Sequence, residues 1–226
     1  MTVKICASVI ASKLKTIKET MEKAEKNGAN LIEIRMDHLR EKSILKKVRQ
    51  ITDLPLIATN RSTREGGVFE GSESRRIQQL FDAANSDFDY IDVELSTENS
   101  KIIIQRLADV GAQTIISSHN YSMTPDLQHL HQLFQEELST HADICKIVTL
   151  ANTFQDNVRC LQFLDEGVKK GRLTAFCMGK IGVISRLLSP LFGGEFTYAS
   201  VYSSKETAPG QLTITEMRMF YEVLGV

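Results

Sequence analysis

Ile144-Cys145-Lys146-Ile147-Val148-Thr149-Leu150 is a short apolar run broken once by a lysine, and Phe154, Val158, Leu161 and Leu164 follow it at helical spacing until Gly167. A short β-branched run ahead of a longer amphipathic one reads as a strand feeding a helix. The unit recurs along the whole chain. Upstream lie Val3–Val9 with Leu14, Ile17, Met21 and Ala24, stopped at Asn27-Gly28, and then Leu31–Met36 with a basic helix around Leu45 and Val48. Leu56–Thr59 leads through the polar loop Asn60–Gly71 to Ile77, Leu80 and Phe81. Tyr90–Leu95 leads to Ile103, Leu107 and Val110, stopped at Gly111. Thr114–Ser118 precedes a helix that Thr124-Pro125 is expected to open, with threonine as cap and proline in the first turn. Downstream, Leu173–Met178 precedes Ile184, Leu187, Leu188 and Leu191, stopped at Gly193-Gly194. Phe196–Val201 precedes a last helix over Ile214–Leu224.

These make about eight strand–helix units with no Asn-Gly hairpin between strands, so the strands are expected to run parallel. Eight units in 226 residues predict an α/β protein, a closed (β/α)₈ TIM barrel forming one catalytic domain over residues 1–226. The structural alternative is an open doubly wound sheet. It normally carries a glycine fingerprint after its first strand, and Ser8–Ser12 has none. No linker or low-complexity tract marks a second domain.

Composition narrows the partners. Twenty-seven basic and 28 acidic residues leave a net charge of −1. No field of one sign exists to attract nucleic acid or an anionic membrane, so any anion must be held by a local cluster. No apolar run approaches the roughly 20 residues of a membrane span. Cys6, Cys145, Cys160 and Cys177 form no CxxC pair, three of them (Cys6, Cys145 and Cys177) lie in strand-like runs that suit reduced core thiols, and the first residues lack a signal-peptide layout. The expectation is a cytoplasmic protein.

In a barrel the working residues stand at the carboxyl ends of strands. The second strand, Leu31-Ile32-Glu33-Ile34-Arg35-Met36-Asp37, alternates so that Glu33, Arg35 and Asp37 share the face opposite Ile32, Ile34 and Met36. Three charges then point into the barrel, either as a structural ion-pair layer or as a site. Lys146 poses the same choice. It is either a paired lysine at the strand end, opposite a carboxylate such as Glu94, or a desolvated amine able to condense with a carbonyl. A protonated imine is an electron sink, so elimination beside the captured carbonyl needs only one acid/base group and no metal. His119, ending Ile115-Ile116-Ser117-Ser118-His119 one strand earlier, is the candidate for that group. His38, His129, His131 and His141 have no metal-site spacing. Asn60-Arg61-Ser62-Thr63-Arg64-Glu65-Gly66-Gly67 is a polar loop suited to anions or hydroxyls, and it matches no nucleotide-binding glycine motif.

Taken in order, Glu33-Ile34-Arg35-Met36-Asp37, Arg61–Gly67, Ser118-His119-Asn120, Asp143–Ile147, Met178-Gly179-Lys180, Gly182-Val183-Ile184-Ser185-Arg186 and Ala208-Pro209-Gly210-Gln211 resemble the type I 3-dehydroquinate dehydratases over essentially the whole chain. The resemblance implies a cofactor-free barrel, often a homodimer, that removes water from 3-dehydroquinate to give 3-dehydroshikimate by syn elimination. It implies that Lys146 forms the imine with the C3 ketone. His119 takes the C2 proton and protonates the C1 hydroxyl, while Glu65 orients it and favours its charged form. It further implies that Arg186 and Gln211 hold the substrate carboxylate. Glu33, Arg35 and Arg61 hold ring hydroxyls, Ser8 makes a contact from the first strand, and Met178 packs near the imine. Thr207 stands where many relatives have serine, and residues 203–211 are expected to close as a lid. Tyr198 sits near a position often phenylalanine, and Ile181 follows Lys180 where an acid is common; neither is expected to touch the chemistry.

Two rivals stay open on the residues themselves. One is a lysine-imine aldolase acting on sugar phosphates, for which Gly179, Gly182 and Gly193-Gly194 leave room although Arg186 and Gln211 favour a carboxylate. The other is a barrel that binds a ligand without covalent chemistry. Met217, Met219, Phe220 and Tyr221 in the last helix are either a dimer surface or, more commonly, a well-buried helix.

Overall fold

The computed structural model describes residues 3–39, 42–203 and 210–226. Eight parallel strands alternate with helices: β1 (Ile5–Val9), β2 (Leu31–Arg35), β3 (Leu56–Thr59), β4 (Tyr90–Glu94), β5 (Gln113–His119), β6 (Ile144–Leu150), β7 (Leu173–Met178) and β8 (Thr197–Ala199). The helices are α1 (Leu14–Lys26), α2 (Leu45–Arg49), α3 (Glu73–Ala84), α4 (Ser100–Asp109), α5 (Leu127–Leu138), α6 (Phe154–Gly167), α7 (Val183–Leu188) and α8 (Ile214–Val223). The ladder runs β7-β6-β5-β4-β3-β2-β1-β8. The remaining seam is stitched just before β8, where Glu195 N–H donates to the Leu173 carbonyl (3.0 Å) and Thr174 Oγ1 to that of Phe196 (3.4 Å). The expected (β/α)₈ barrel is therefore the observed one.

Alternation along each strand sorts side chains between two cores. Ile32, Ile34, Val93, Ile116, Cys145 and Ile147 face outward and pack with Ile17, Met21, Leu80, Leu107, Phe134 and Leu164 of the helices. Each such aliphatic side chain contributes about 1.5–3 kcal/mol on burial. A second, interior cluster contains Cys6, Leu31, Ile57, Ile115 and Ile144, with Val148, Phe176, Phe196 and Tyr198. Residues two places further up several strands are polar: Ser8, Glu33, Thr59, Asp92, Ser117 and Lys146, all buried. The barrel has an apolar floor and a charged upper layer.

Strand stagger decides which of these charges meet. Ladder pairing joins Lys146 to Ser117 and Ser117 to Glu94. A barrel of this class shifts about one residue per strand, so the side chain level with Lys146 two strands away lies about two positions below Glu94. That residue is Asp92. Continuing the same staircase reaches Glu33 on β2 and Tyr198 on β8. The four form one layer drawn from alternate strands, as barrel interiors are built.

Local signals set the element ends. Gly28 takes φ +90° after α1, a conformation that costs other residues a clash at Cβ. Capping boxes, Thr153 with Asp156 and Thr213 with Glu216, open α6 and α8. Thr124 does not open α5. Its hydroxyl donates instead to the Leu150 carbonyl (2.9 Å), and Asp126 caps the helix by accepting from His129 N–H (2.9 Å). A short acidic side chain at the cap satisfied the free N–H, and the earlier threonine was drawn into the strand ends. The last helix buries Ile214, Met217 and Tyr221 along one face and leaves Met219 and Val223 exposed, so it is an amphipathic helix and not one buried around its circumference. Among the described residues no helix is long and apolar enough to cross a membrane.

Candidate active site

The charged layer opens into a cavity of about 240 Å³ at the carboxyl ends of the strands. Lys146 lies at its base, only 3% exposed. Its Nζ donates to Asp92 Oδ2 (3.0 Å) and to the Tyr198 hydroxyl (2.9 Å), and stands 3.6 Å from Glu33 Oε1. The amine is thus both withdrawn from water and charge-paired. Its carboxylate partners are Asp92 and Glu33, correcting the expectation of Glu94. Glu94 serves two arginines, at 3.4 Å from Arg61 and 3.1 Å from Arg76. Glu33 also accepts from Ser8 Oγ (2.6 Å) and Thr59 Oγ1 (2.9 Å), which fixes it beneath the amine.

His119 lines the same cavity from the neighbouring strand. Its Nδ1 is 2.9 Å from Glu65 Oε2, so its Nε2 is the nitrogen left for a bound molecule. Ser96 Oγ donates to the other Glu65 oxygen (2.5 Å), and Tyr121 donates to the Glu65 carbonyl (2.8 Å) while stacking on the imidazole. Glu65 is positioned by the left-handed turn at Gly66 (φ +73°), where any Cβ would collide with Tyr121. The expectation that Glu65 keeps the histidine charged is not how the electrostatics fall. Burial pushes the imidazole well below its ordinary value, and the Arg61 and Lys146 cations act the same way. Burial also pushes the Glu65 carboxyl up to about 7 against the pull of Ser96 and Arg61. Both shifts favour the neutral imidazole, the form that can accept a proton.

The arginines divide into two kinds. Arg61 is committed inside the layer, with its guanidinium 2.8 Å from Asp92 Oδ1 and donating to Ser117 Oγ (2.8 Å). Arg35 projects from the end of β2 and is held by two bonds to Asp37 (2.9 and 2.7 Å). Asp37 itself lies past the strand in a short 3₁₀ turn and braces Arg35 rather than entering the cavity. Arg186 sits in the first turns of α7, 1% exposed, its guanidinium 4.4 Å from the Phe176 ring centroid. Arg186, Gln211, Ser8, Glu33, Arg35, Arg61 and Met178 all line the cavity. Thr207 and most of the expected lid, 204–209, lie outside the described residues. Asp92, Tyr121 and Tyr198 are site residues that sequence reasoning missed. Asp92 carried a readable signal, since Tyr90-Ile91-Asp92-Val93-Glu94 alternates as β2 does. Tyr198 was judged remote from the chemistry and instead touches the amine.

Fold and site together define a (β/α)₈ barrel whose mouth places a buried amine beside a carboxylate-oriented histidine. A family model described as type I 3-dehydroquinase matches residues 5–226, and the chain belongs to that family. It is 36% identical over 203 residues to a 3-dehydroquinate dehydratase of Dehalococcoides mccartyi, covering 90% of this chain and 89% of that one. It is 34% identical over 229 residues to one of Methanosarcina barkeri, covering 96% and 95%. Among solved structures, the 3-dehydroquinate dehydratase of Geobacillus kaustophilus superposes with a TM-score of 0.92 at 26% identity, over 100% of this chain and 92% of that one. The type I enzyme of Clostridium difficile, solved with covalently modified comenic acid, gives 0.91 at 26% identity over 98% and 92%.

Proposed function

We propose that Lys146 captures the C3 ketone of 3-dehydroquinate as an imine and that His119 carries the proton through the elimination. Family membership makes the chain a 3-dehydroquinate dehydratase, a hydro-lyase, and the residue roles are our reading of the site. The observation that carries it is the withdrawn Lys146 nitrogen sharing one cavity with the His119 ring, whose Nδ1 is held by Glu65. Once the imine forms, its positive nitrogen acidifies C2. The free Nε2 removes that proton and returns it to the C1 hydroxyl, which departs as water. Because Nδ1 is tied to Glu65, one nitrogen serves both transfers, which keeps them on the same face of the ring and gives syn elimination. Arg186 and Gln211 receive the substrate carboxylate, and Arg35, Arg61, Glu33 and Ser8 frame the ring hydroxyls. Met178 packs beside the imine, and Thr207 adds a hydroxyl contact.

We read residues 1–226 as one catalytic domain of a cytoplasmic homodimer that takes a small-molecule substrate and no cofactor. Borohydride reduction with 3-dehydroquinate, followed by peptide mass mapping, tests the chemistry. An adduct on Lys146 is expected. It should be lost in Lys146→Ala, with turnover abolished far more than binding, and should still form in His119→Ala. Near-normal turnover of Lys146→Ala would remove the imine from the mechanism.

A further inference from the structure

We propose that Tyr198 is a catalytic residue for imine formation, its phenol passing protons from the Lys146 nitrogen to the oxygen of the captured ketone. This rests on the assignment of Lys146 as the imine-forming residue. The resemblance leads one to expect phenylalanine near this position, and this chain has a hydroxyl there, 2.9 Å from Nζ. The ring centroid lies 4.4 Å from the same nitrogen. Phe176 and Phe196, with centroids 6.0 and 5.5 Å away, clamp the ring in place. Among the described residues the phenol makes no other hydrogen bond, and it lines the cavity. The ammonium donates to the phenol oxygen, which leaves the O–H proton for a molecule bound above it.

Imine formation gives such a group something to do. Converting a lysine ammonium and a ketone into an iminium and water conserves charge, but it moves two protons from nitrogen to oxygen. Direct transfer within the N–C–O unit would pass through a strained four-membered ring. Through the phenol it becomes a six-membered relay. In the first passage an ammonium N–H proton goes to the tyrosine oxygen, and the tyrosine proton goes to the ketone oxygen. The freed nitrogen pair then forms the N–C bond, giving a protonated carbinolamine. In the second passage another N–H proton goes to the tyrosine oxygen while the tyrosine proton goes to the carbinol hydroxyl. The C–O bond breaks, water leaves, and the nitrogen pair closes the C=N bond. The phenol ends each passage neutral, as its burial favours.

Asp92 is taken up by Arg61, Lys146 and Ser117. The Nδ1 of His119 is tied to Glu65, which leaves Nε2 as the one imidazole nitrogen that could share these transfers, whereas the Tyr198 oxygen already stands at the amine.

Mixing the protein with 3-dehydroquinate, quenching with borohydride at timed intervals and weighing the Lys146 peptide reads the step directly. Tyr198→Phe should slow adduct accumulation by about 100-fold, the usual scale of one acid/base group. Its isotope effect on a substrate deuterated at C2 should fall towards one as capture becomes limiting. Accumulation at the rate of the unmodified protein overturns the relay. If Tyr198→Phe does not fold, 3-fluorotyrosine at position 198 changes the acidity of the phenol in nearly the same volume. A changed accumulation rate then supports the relay, and an unchanged one overturns it. Absence of any Lys146 adduct in the unmodified protein is a different failure, that of the imine assignment itself.

Discussion

Asp92→Asn is the sharpest probe of the charged layer. The Asp92 side chain is fully buried and bonds to Lys146 Nζ (3.0 Å), an Arg61 nitrogen (2.8 Å) and Ser117 Oγ (2.7 Å). Asparagine keeps the shape, removes the charge and turns an N–H towards a cation. Breaking a buried pair while its partners stay charged costs about 3–5 kcal/mol. At about 2 cal/mol/K of unfolding entropy per residue, a chain of this length should melt about 6–10 °C lower. Burial raises the Asp92 carboxyl, but the Arg61 and Lys146 cations outweigh that and hold it well below the usual carboxylate range. A lowered folded-state value contributes stability that is present above the unfolded value and lost as pH falls towards the folded one. The gap between the two proteins should therefore be constant near neutrality and narrow only below about pH 4. Calorimetry at pH 7 and in an acid series measures both. A loss under about 2 °C at pH 7, equivalent to about 1 kcal/mol, would mean that Asp92 does not hold the layer together.

Arg186→Ala should chiefly raise KM for 3-dehydroquinate, by about 10- to 100-fold for one charge-assisted carboxylate contact of 1.5–3 kcal/mol; steady-state kinetics with an unchanged KM would remove it as the anchor. Gly210→Ala should raise KM and lower the melting temperature together, because Gly210 holds φ +74° and any Cβ would strike the Gly179 carbonyl, displacing the neighbouring Gln211; parallel kinetics and melting curves check this. Glu65→Gln should lose stability relative to the parent as pH falls from 7 to 5. A carboxyl raised from 4.5 to about 7 makes the folded parent bind more protons in that window, worth up to about 3 kcal/mol on full protonation. Denaturant titrations at three pH values would contradict this if the two proteins ran parallel.

The barrel was legible because its two periods differ so plainly, two along Leu31–Asp37 and three to four along Leu14, Ile17, Met21 and Ala24, which do face the core. In the sixth helix only Leu161 and Leu164 of the expected stripe are buried, while Phe154 and Val158 are exposed. Residues at strand ends were legible for the same reason. Glu33, Arg35, His119 and Lys146 each interrupt an apolar run at the place where a barrel keeps its site. What alternation does not carry is the offset between strands. It says that Asp92 and Glu94 both point inward but not which one stands level with Lys146. The tilt that closes eight strands moves each strand about one residue against the last, and across two strands this exchanges Glu94 for Asp92. The same offset places Tyr198 in contact with the amine, although β8 lies far from β6 in the ladder. Stagger also explains why Arg61, at the start of a loop, becomes one of the most deeply committed charges. Its guanidinium sits between Asp92 and Glu94 and compensates carboxylates that would otherwise be buried with too few positive partners. The layer is therefore one network of paired charges, and a substitution at any of its members should reach Lys146 through their shared partners.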